Sequence, residues 1–202
     1  MVRQALAGVL AQQPSVQVSA QARDAEEALS ALSAQEIDVL ILDYSMPGPD
    51  PAAVIERAAR CSPETKVLVL TVHENVHYAV RVLEAGAHGY LIKSAAVEEL
   101  VHAVHSVHAG ETYVSRKLAS RVLGHLRTPR RERAGLDALT PKEFEFTRLV
   151  SNGQGLKDCA AAMNVSTSTA STYRSRVLAK LGLHNTAELI RFGLEQGLGQ
   201  NT

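Results

Sequence analysis

The chain has 202 residues, 46% of them apolar, and no run approaching eighteen consecutive apolar residues, which excludes a helical membrane span and allows one large domain or two small ones. Its 21 Lys and Arg balance 21 Asp and Glu only overall: residues 1–127 hold 11 basic and 14 acidic side chains, net −3, and residues 128–202 hold 10 and 7, net +3. An acidic front and a basic back predict two domains with different partners; with no signal-peptide layout, and with Cys61 and Cys159 in no zinc or redox spacing, the expectation is a cytoplasmic protein without membrane contacts.

From residue 16 to about 110, short β-rich runs alternate with amphipathic helical stretches. VQVSAQA (16–22) reads as a strand and DAEEALSALSAQ (24–35) as a helix, with Asp24 as N-cap and Glu27 completing a capping box. IDVLILD (37–43) reads as a strand apolar on both faces, as inside a parallel sheet covered by helices. PAAVIERAARC (51–61) is a helix, TKVLVLTV (65–72) a strand, and NVHYAVRVLEAG (75–86) a helix closed by Gly86. GYLIK (89–93) is a strand and AVEELVHAVHSVHAG (96–110) a helix, again ending in glycine. Repeated strand–helix units predict a doubly wound α/β sheet.

In such sheets ligands sit beyond the carboxyl ends of the strands, and those ends carry Asp43, Thr71 and Lys93. Taken alone, a strand-end aspartate is a turn former. An acid, a hydroxyl and an amine at three successive strand ends are a different matter. A carboxylate nucleophile, an amine to neutralise added negative charge and a hydroxyl to hydrogen-bond it describe an aspartyl-phosphate site.

ILDYSMPG, VLTVHE and GYLIKSA resemble three segments of the receiver domain of bacterial response regulators. The resemblance implies a flavodoxin-like sheet, Asp43 as phosphoacceptor, and Thr71 and Lys93 as its phosphate-site partners. It makes Tyr90 the aromatic that turns inward on activation. Mg²⁺ would be held by Asp43 and the backbone carbonyl of Ser45, together with an acid pair at the end of a first strand. This chain starts at MVRQALAGVL, which resembles the helix after that strand, so the strand and its acid pair are missing. Two accounts are open. Met1 is an internal methionine taken as the start, the account favoured by the intact site residues, or the protein lacks the strand and binds no metal in the usual way.

ETYVSRKLASRVLGHL (111–126) reads as an amphipathic helix, and RTPRRERAGLDA, rich in arginine, as a linker. Residues 139–198 are helical throughout. Thr140 caps a helix with Pro141 at its first position and Glu143 at its third; Ser166 and Asn185 cap two more, Asn185 with Glu188. Cys159 and the small Ala160, Ala161 and Ala162 suit close packing. Four short capped helices predict a compact bundle with a helix–turn–helix at 156–181.

Leu139-Thr140-Pro141, Glu143, Gly153, Ser166, Thr169 and Lys180-Leu181-Gly182 resemble the LuxR-type DNA-binding domain, and the whole chain resembles a NarL/FixJ-type response regulator. The domains expected are 1–110 (receiver), 111–138 (linker) and 139–202 (DNA-binding). The resemblance places the third helix of the bundle in the major groove. Ser168, Ser171, Thr172, Ser175 and Arg176 are its exposed positions, with base-edge contacts at Ser171, Thr172 and Ser175. Phosphate contacts fall to Thr169, Tyr173, Arg174, Arg176 and Lys180. Leu189, Ile190, Phe192 and Leu194 resemble a dimer contact. Relatives usually carry lysine where this chain has Ser168 and Ser171, and histidine where it has Tyr173. Serine bonds donor or acceptor edges alike, so weak base discrimination is expected, and losing two cationic contacts flattens the salt dependence by about two units of slope.

His102, His105 and His108 recur on one helix face without converging acids, and an exposed stripe is expected there rather than a metal site. His73 and His77 flank Thr71 and are expected on the following loop. The reading is of a transcription factor, not an enzyme. A sensor histidine kinase phosphorylates Asp43 with Mg²⁺ present, the protein dimerises, and two reading helices reach two half-sites on double-stranded DNA. The alternatives are a phosphorylation-independent dimer that binds DNA and an adaptor whose DNA contacts have decayed.

Overall fold

The computed structural model of the protein describes residues 2–46, 49–127 and 134–199. Two compact units divide between Val122 and Leu123, inside the stretch read as helix and linker, and most of the arginine-rich run lies outside the described residues.

In the first unit, helices α1 (Val2–Ala11), α2 (Ala25–Ala34), α3 (Pro51–Cys61), α4 (Val76–Glu84) and α5 (Val97–His108) alternate with strands β1 (Val39–Asp43), β2 (Lys66–Thr71) and β3 (Gly89–Ile92). A two-residue strand β4 (Tyr113–Val114) precedes α6 (Arg116–Arg127), where the periodicity predicts helix from residue 111. The difference has a local cause: Tyr113 N–H donates to the His88 carbonyl and Ser115 N–H to the Tyr90 carbonyl, which holds the chain extended for two residues. All pairings are parallel, in the order β1-β2-β3-β4, with Asp43 opposite Leu70 and Thr71 opposite Ile92. Crossover helices bury the middle of the sheet. Leu68, Leu70 and Leu91 pack with Leu100, Ala103, Val104 and Val107 of α5 and Leu10 of α1, while Val54, Ile55, Tyr78 and Ala79 are buried on α3 and α4.

One predicted strand does not form. Residues 16–22 adopt no regular secondary structure and join no sheet, and β1 has no ladder partner on its second edge among the described residues. A β-rich run becomes a strand only beside another backbone, and the two stretches are separated by a groove of about 490 Å³ lined by Leu6, Leu10, Val16, Val18, Ile41 and Val104. β1 is therefore an edge strand in which only Leu42 is buried, not the doubly covered strand its composition predicts. Tyr44 N–H donates to Leu70 O, and directions alternate along a strand, so the Val39, Ile41 and Asp43 amides point to the groove.

The second unit contains a 3-10 turn (Gly135–Ala138) and helices α7 (Pro141–Ser151), α8 (Leu156–Ala162), α9 (Thr167–Leu181) and α10 (Thr186–Glu195). The caps read from the sequence are present: Thr140 with Glu143 as a full capping box, Ser166 on Thr169 N–H, and Asn185 on Glu188 N–H. Asp24 caps α2 in the same way. α9 and α10 both pack on α7, and α8 packs on α9. Gly193 lets α10 lie directly on Ser151, whose side chain would overlap a Cβ there. Cys159, Ala170, Val177 and Leu189 are fully buried.

Candidate functional site

At the carboxyl ends of β1 and β3, Lys93 Nζ donates to Asp43 Oδ2 at 2.6 Å, and Ser45 N–H donates to Asp43 Oδ1 at 2.9 Å. Asp43 ends its strand because the Ser45 bond turns the chain within two residues, as aspartate side chains do. The Lys93 side chain is 18% exposed and that of Asp43 41%, so the pair is open to a reactant from one side. Lys93 reaches it from beyond β3, where its own N–H donates to the Thr71 carbonyl at 2.6 Å.

Thr71 is fully buried, and its hydroxyl accepts from His73 N–H at 3.0 Å. Tyr90 is fully buried as well, donating its hydroxyl to the His73 carbonyl at 3.1 Å. Burial pushes the Tyr90 phenol well above its ordinary range, against the smaller opposing effect of the Thr71 hydroxyl. The aromatic expected to turn inward is thus inside in this structure. His73 does more than sit on a surface loop: its ring packs with Tyr78 (centroids 5.2 Å apart) and with Tyr44, which lies 4.8 Å from Tyr78. The sequence marks the strand-end residues, but nothing in it signals this three-ring cluster or the role of the His73 backbone.

The residues present do not make a Mg²⁺ site by themselves. Mg²⁺ takes six oxygen ligands and is usually held by one or two carboxylates plus substrate oxygens and water. Asp43 is a single carboxylate with both oxygens engaged, and among the described residues no group of three metal-ligating side chains includes it. Elsewhere in this unit, His105 Nε2 lies 3.1 Å from Ser15 Oγ, and the His102 ring packs edge-on against Tyr113, so two members of the histidine stripe are tied to neighbours.

In the second unit, α8 and α9 form the helix–turn–helix, and Asn164 in the connecting turn adopts φ +53°, a conformation asparagine tolerates. Ala170 and Val177, seven apart, face the core, so Ser168, Thr172, Ser175 and Arg176 form an exposed stripe opposite them. Ser171, Tyr173 and Arg174 are half-buried at the edges of that stripe, and Thr169 closes the cap with Ser166 (Oγ–Oγ1 2.9 Å). Lys180 is placed differently from expectation. Its ammonium donates to Glu143 Oε2 at 2.6 Å and to the Ala138 carbonyl at 3.3 Å, ties within its own unit that compete with a DNA phosphate. Burial raises the Glu143 carboxyl, but Lys180 and the Thr140 backbone and side-chain bonds outweigh it and hold the group below its ordinary value. On α10, Leu189 is fully buried in its own unit and unavailable to a partner; Ile190 and Phe192 are half-buried and Leu194 is 55% exposed.

A parallel sheet with an acid, a hydroxyl and an amine at its strand ends, followed by a helix–turn–helix bundle, is the layout of a DNA-binding response regulator. The response regulator receiver domain matches residues 1–105 and the bacterial regulatory proteins of the luxR family match residues 137–192. The chain belongs to the response regulators of two-component transcription regulation that join a receiver to a LuxR-type DNA-binding domain. Similar proteins include Response regulator UvrY of Escherichia coli K12, 29% identical over 198 residues, or 98% of this chain and 91% of that one. Oxygen regulatory protein NreC of Staphylococcus aureus JH9 is 32% identical over 204 residues, 98% of this chain and 94% of that one. Among solved structures, RcsB of Salmonella typhimurium aligns with a TM-score of 0.75 at 26% identity, covering 96% of this chain and 92% of that one. RcsB bound to promoter rprA with the phosphomimetic BeF3⁻ aligns with a TM-score of 0.71 at 27% identity, covering 95% and 92%.

Proposed function

We propose that the protein is a phosphorylation-controlled transcription factor in the cytoplasm, a switch rather than an enzyme, with Asp43 as phosphoacceptor. The observation that carries this reading is the Lys93–Asp43 pair at the strand ends. A carboxylate oxygen of Asp43 attacks the phosphorus of a kinase phosphohistidine, the P–N bond breaks, and the imidazole leaves with the bond pair. The acyl phosphate that forms carries added negative charge, and Lys93 transfers its hydrogen bond from Asp43 Oδ2 to a phosphoryl oxygen. Thr71 can follow by giving up its bond to His73 N–H, which would loosen the loop that also holds the Tyr90 hydroxyl. Receiver domains generally use Mg²⁺ for phosphorylation. In this chain that use calls for oxygen ligands beyond the Asp43 carboxylate and the Ser45 carbonyl.

Dimerisation through Ile190, Phe192 and Leu194 would bring two copies of α9 to two half-sites in the major groove. Ser171, Thr172 and Ser175 then face bases, with Ser168 exposed on the same face, and Thr169, Tyr173, Arg174 and Arg176 face phosphates. The test is incubation of the full chain with phosphoramidate, followed by phosphate-affinity electrophoresis and promoter binding. The expected result is one alkali- and hydroxylamine-labile phosphate, absent in Asp43→Asn, and tighter DNA binding in its presence. A second reading, DNA binding independent of phosphate, is favoured by the single carboxylate at the site and by Tyr90 already lying inside. It predicts unchanged DNA binding by Asp43→Asn.

A further inference from the structure

Two hydroxyls on the exposed face of α9 have their protons committed within the helix. Thr172 Oγ1 donates to the Ser168 carbonyl at 3.1 Å, and Ser175 Oγ donates to the Ser171 carbonyl at 3.2 Å. Both residues are exposed, opposite the buried Ala170 and Val177. A hydroxyl has one proton and two lone pairs, so a back-bonded serine or threonine offers the solvent, or a ligand, acceptors only. The expectation that these side chains discriminate little between bases assumed a freely rotating hydroxyl, which this helix does not leave them.

We propose that Thr172 and Ser175 are acceptor-only readers of the major groove, each taking a hydrogen bond from the one amine of its base pair, adenine N6 or cytosine N4, and so fixing which strand carries that base. The inference rests on the DNA-binding reading above. Adenine offers its N6 amine and cytosine its N4 amine, whereas guanine offers N7 and O6 and thymine O4 and a methyl group. Accepting from an amine adds a hydrogen bond while keeping the one inside the helix. Bonding guanine O6 or thymine O4 requires the proton to leave the Ser168 or Ser171 carbonyl, exchanging one bond for another with no gain in number. The difference, one hydrogen bond per position, corresponds to about three- to tenfold in affinity. Three helical residues span about 4.5 Å along the axis against about 3.4 Å per base step, so the two hydroxyls address neighbouring base pairs.

The experiment selects binding sites for the full-length chain from a random duplex pool at low salt. Binding of the consensus duplex is then measured for wild type, Thr172→Val, Thr172→Ala and Ser175→Ala. The expected result is two adjacent positions of fixed pair orientation, where adenine is not exchanged for thymine, nor cytosine for guanine, on the same strand. Replacing such an adenine by purine, or such a cytosine by 2-pyrimidinone, each of which lacks only the amine, should weaken wild type about three- to tenfold. The same replacement should not weaken the variant whose hydroxyl is missing at that position. Two positions indifferent to which strand carries the amine, or a purine penalty that persists in both Thr172 variants and in Ser175→Ala, overturns the inference while leaving DNA binding intact. If no sequence is enriched and no duplex is bound, the DNA-binding reading itself falls, and this inference with it.

Discussion

Lys93 reaches across the end of β2 to place its ammonium 2.6 Å from Asp43 Oδ2, linking the ends of two strands that are not neighbours in the sheet. The lysine is therefore positioned before any phosphoryl group arrives. Lys93→Met should slow phosphorylation by phosphoramidate about 100- to 1000-fold, the usual loss when a fixed donor to developing negative charge is removed. Time-resolved phosphate-affinity gels measure it. A lysine that merely held the carboxylate shut would give the opposite result, a faster reaction.

Tyr90 tests the loop behind the site. Tyr90→Phe keeps the buried ring but removes the bond to the His73 carbonyl, and should cost about 1 kcal/mol, or a few degrees of Tm in a thermal melt. Tyr90→Ala should cost about 3–5 kcal/mol, because the ring is fully buried.

The Glu143–Lys180 pair gives the helical unit an acid limit. The folded Glu143 carboxyl lies below its ordinary value of 4.5, so the stability it contributes is complete above that pH and is lost as pH falls through the lower folded value. Circular dichroism should show the unit melting earlier as pH drops from about 5 towards 3. Glu143→Gln should flatten that dependence and, at neutral pH, cost about 1–3 kcal/mol by leaving Lys180 and the Thr140 cap with a poorer acceptor.

Gly89 at the start of β3 is required by close approach. A Cβ there would sit 2.6 Å from Leu68 Cδ1, 3.0 Å from Val107 Cγ2 and 3.2 Å from the Tyr113 carbonyl. Gly89→Ala should destabilise the first unit by about 1–3 kcal/mol through overpacking, read as a shifted midpoint in urea.

Much of this architecture is written in local patterns. The apolar runs ending at Asp43, Thr71 and Lys93, and the caps at Asp24, Thr140, Ser166 and Asn185, rest on contacts within a few residues, and those were legible. What was not legible depends on distant partners. The run at 16–22 has β-forming residues, but whether it forms a ladder depends on a neighbouring backbone that no local pattern reports. Tyr113–Val114 is extended because His88 and Tyr90 receive its hydrogen bonds, and Lys180 is bound by a glutamate 37 residues earlier. The back-bonding of Thr172 and Ser175 is local, yet composition alone leaves a hydroxyl free to turn either way.

The open edge of β1 has a consequence for solvent exchange. Along the five residues of that strand, the amides of Leu40 and Leu42 face β2, while those of Val39, Ile41 and Asp43 face the groove. Deuterium should therefore enter β1 in alternation, fast at the odd positions and slow at the even ones, within a segment that any low-resolution probe would describe as uniformly ordered. Anything that completes the sheet beside Asp43 would erase that alternation, making the amide of the acceptor residue a reporter of whether its own strand is paired on both sides.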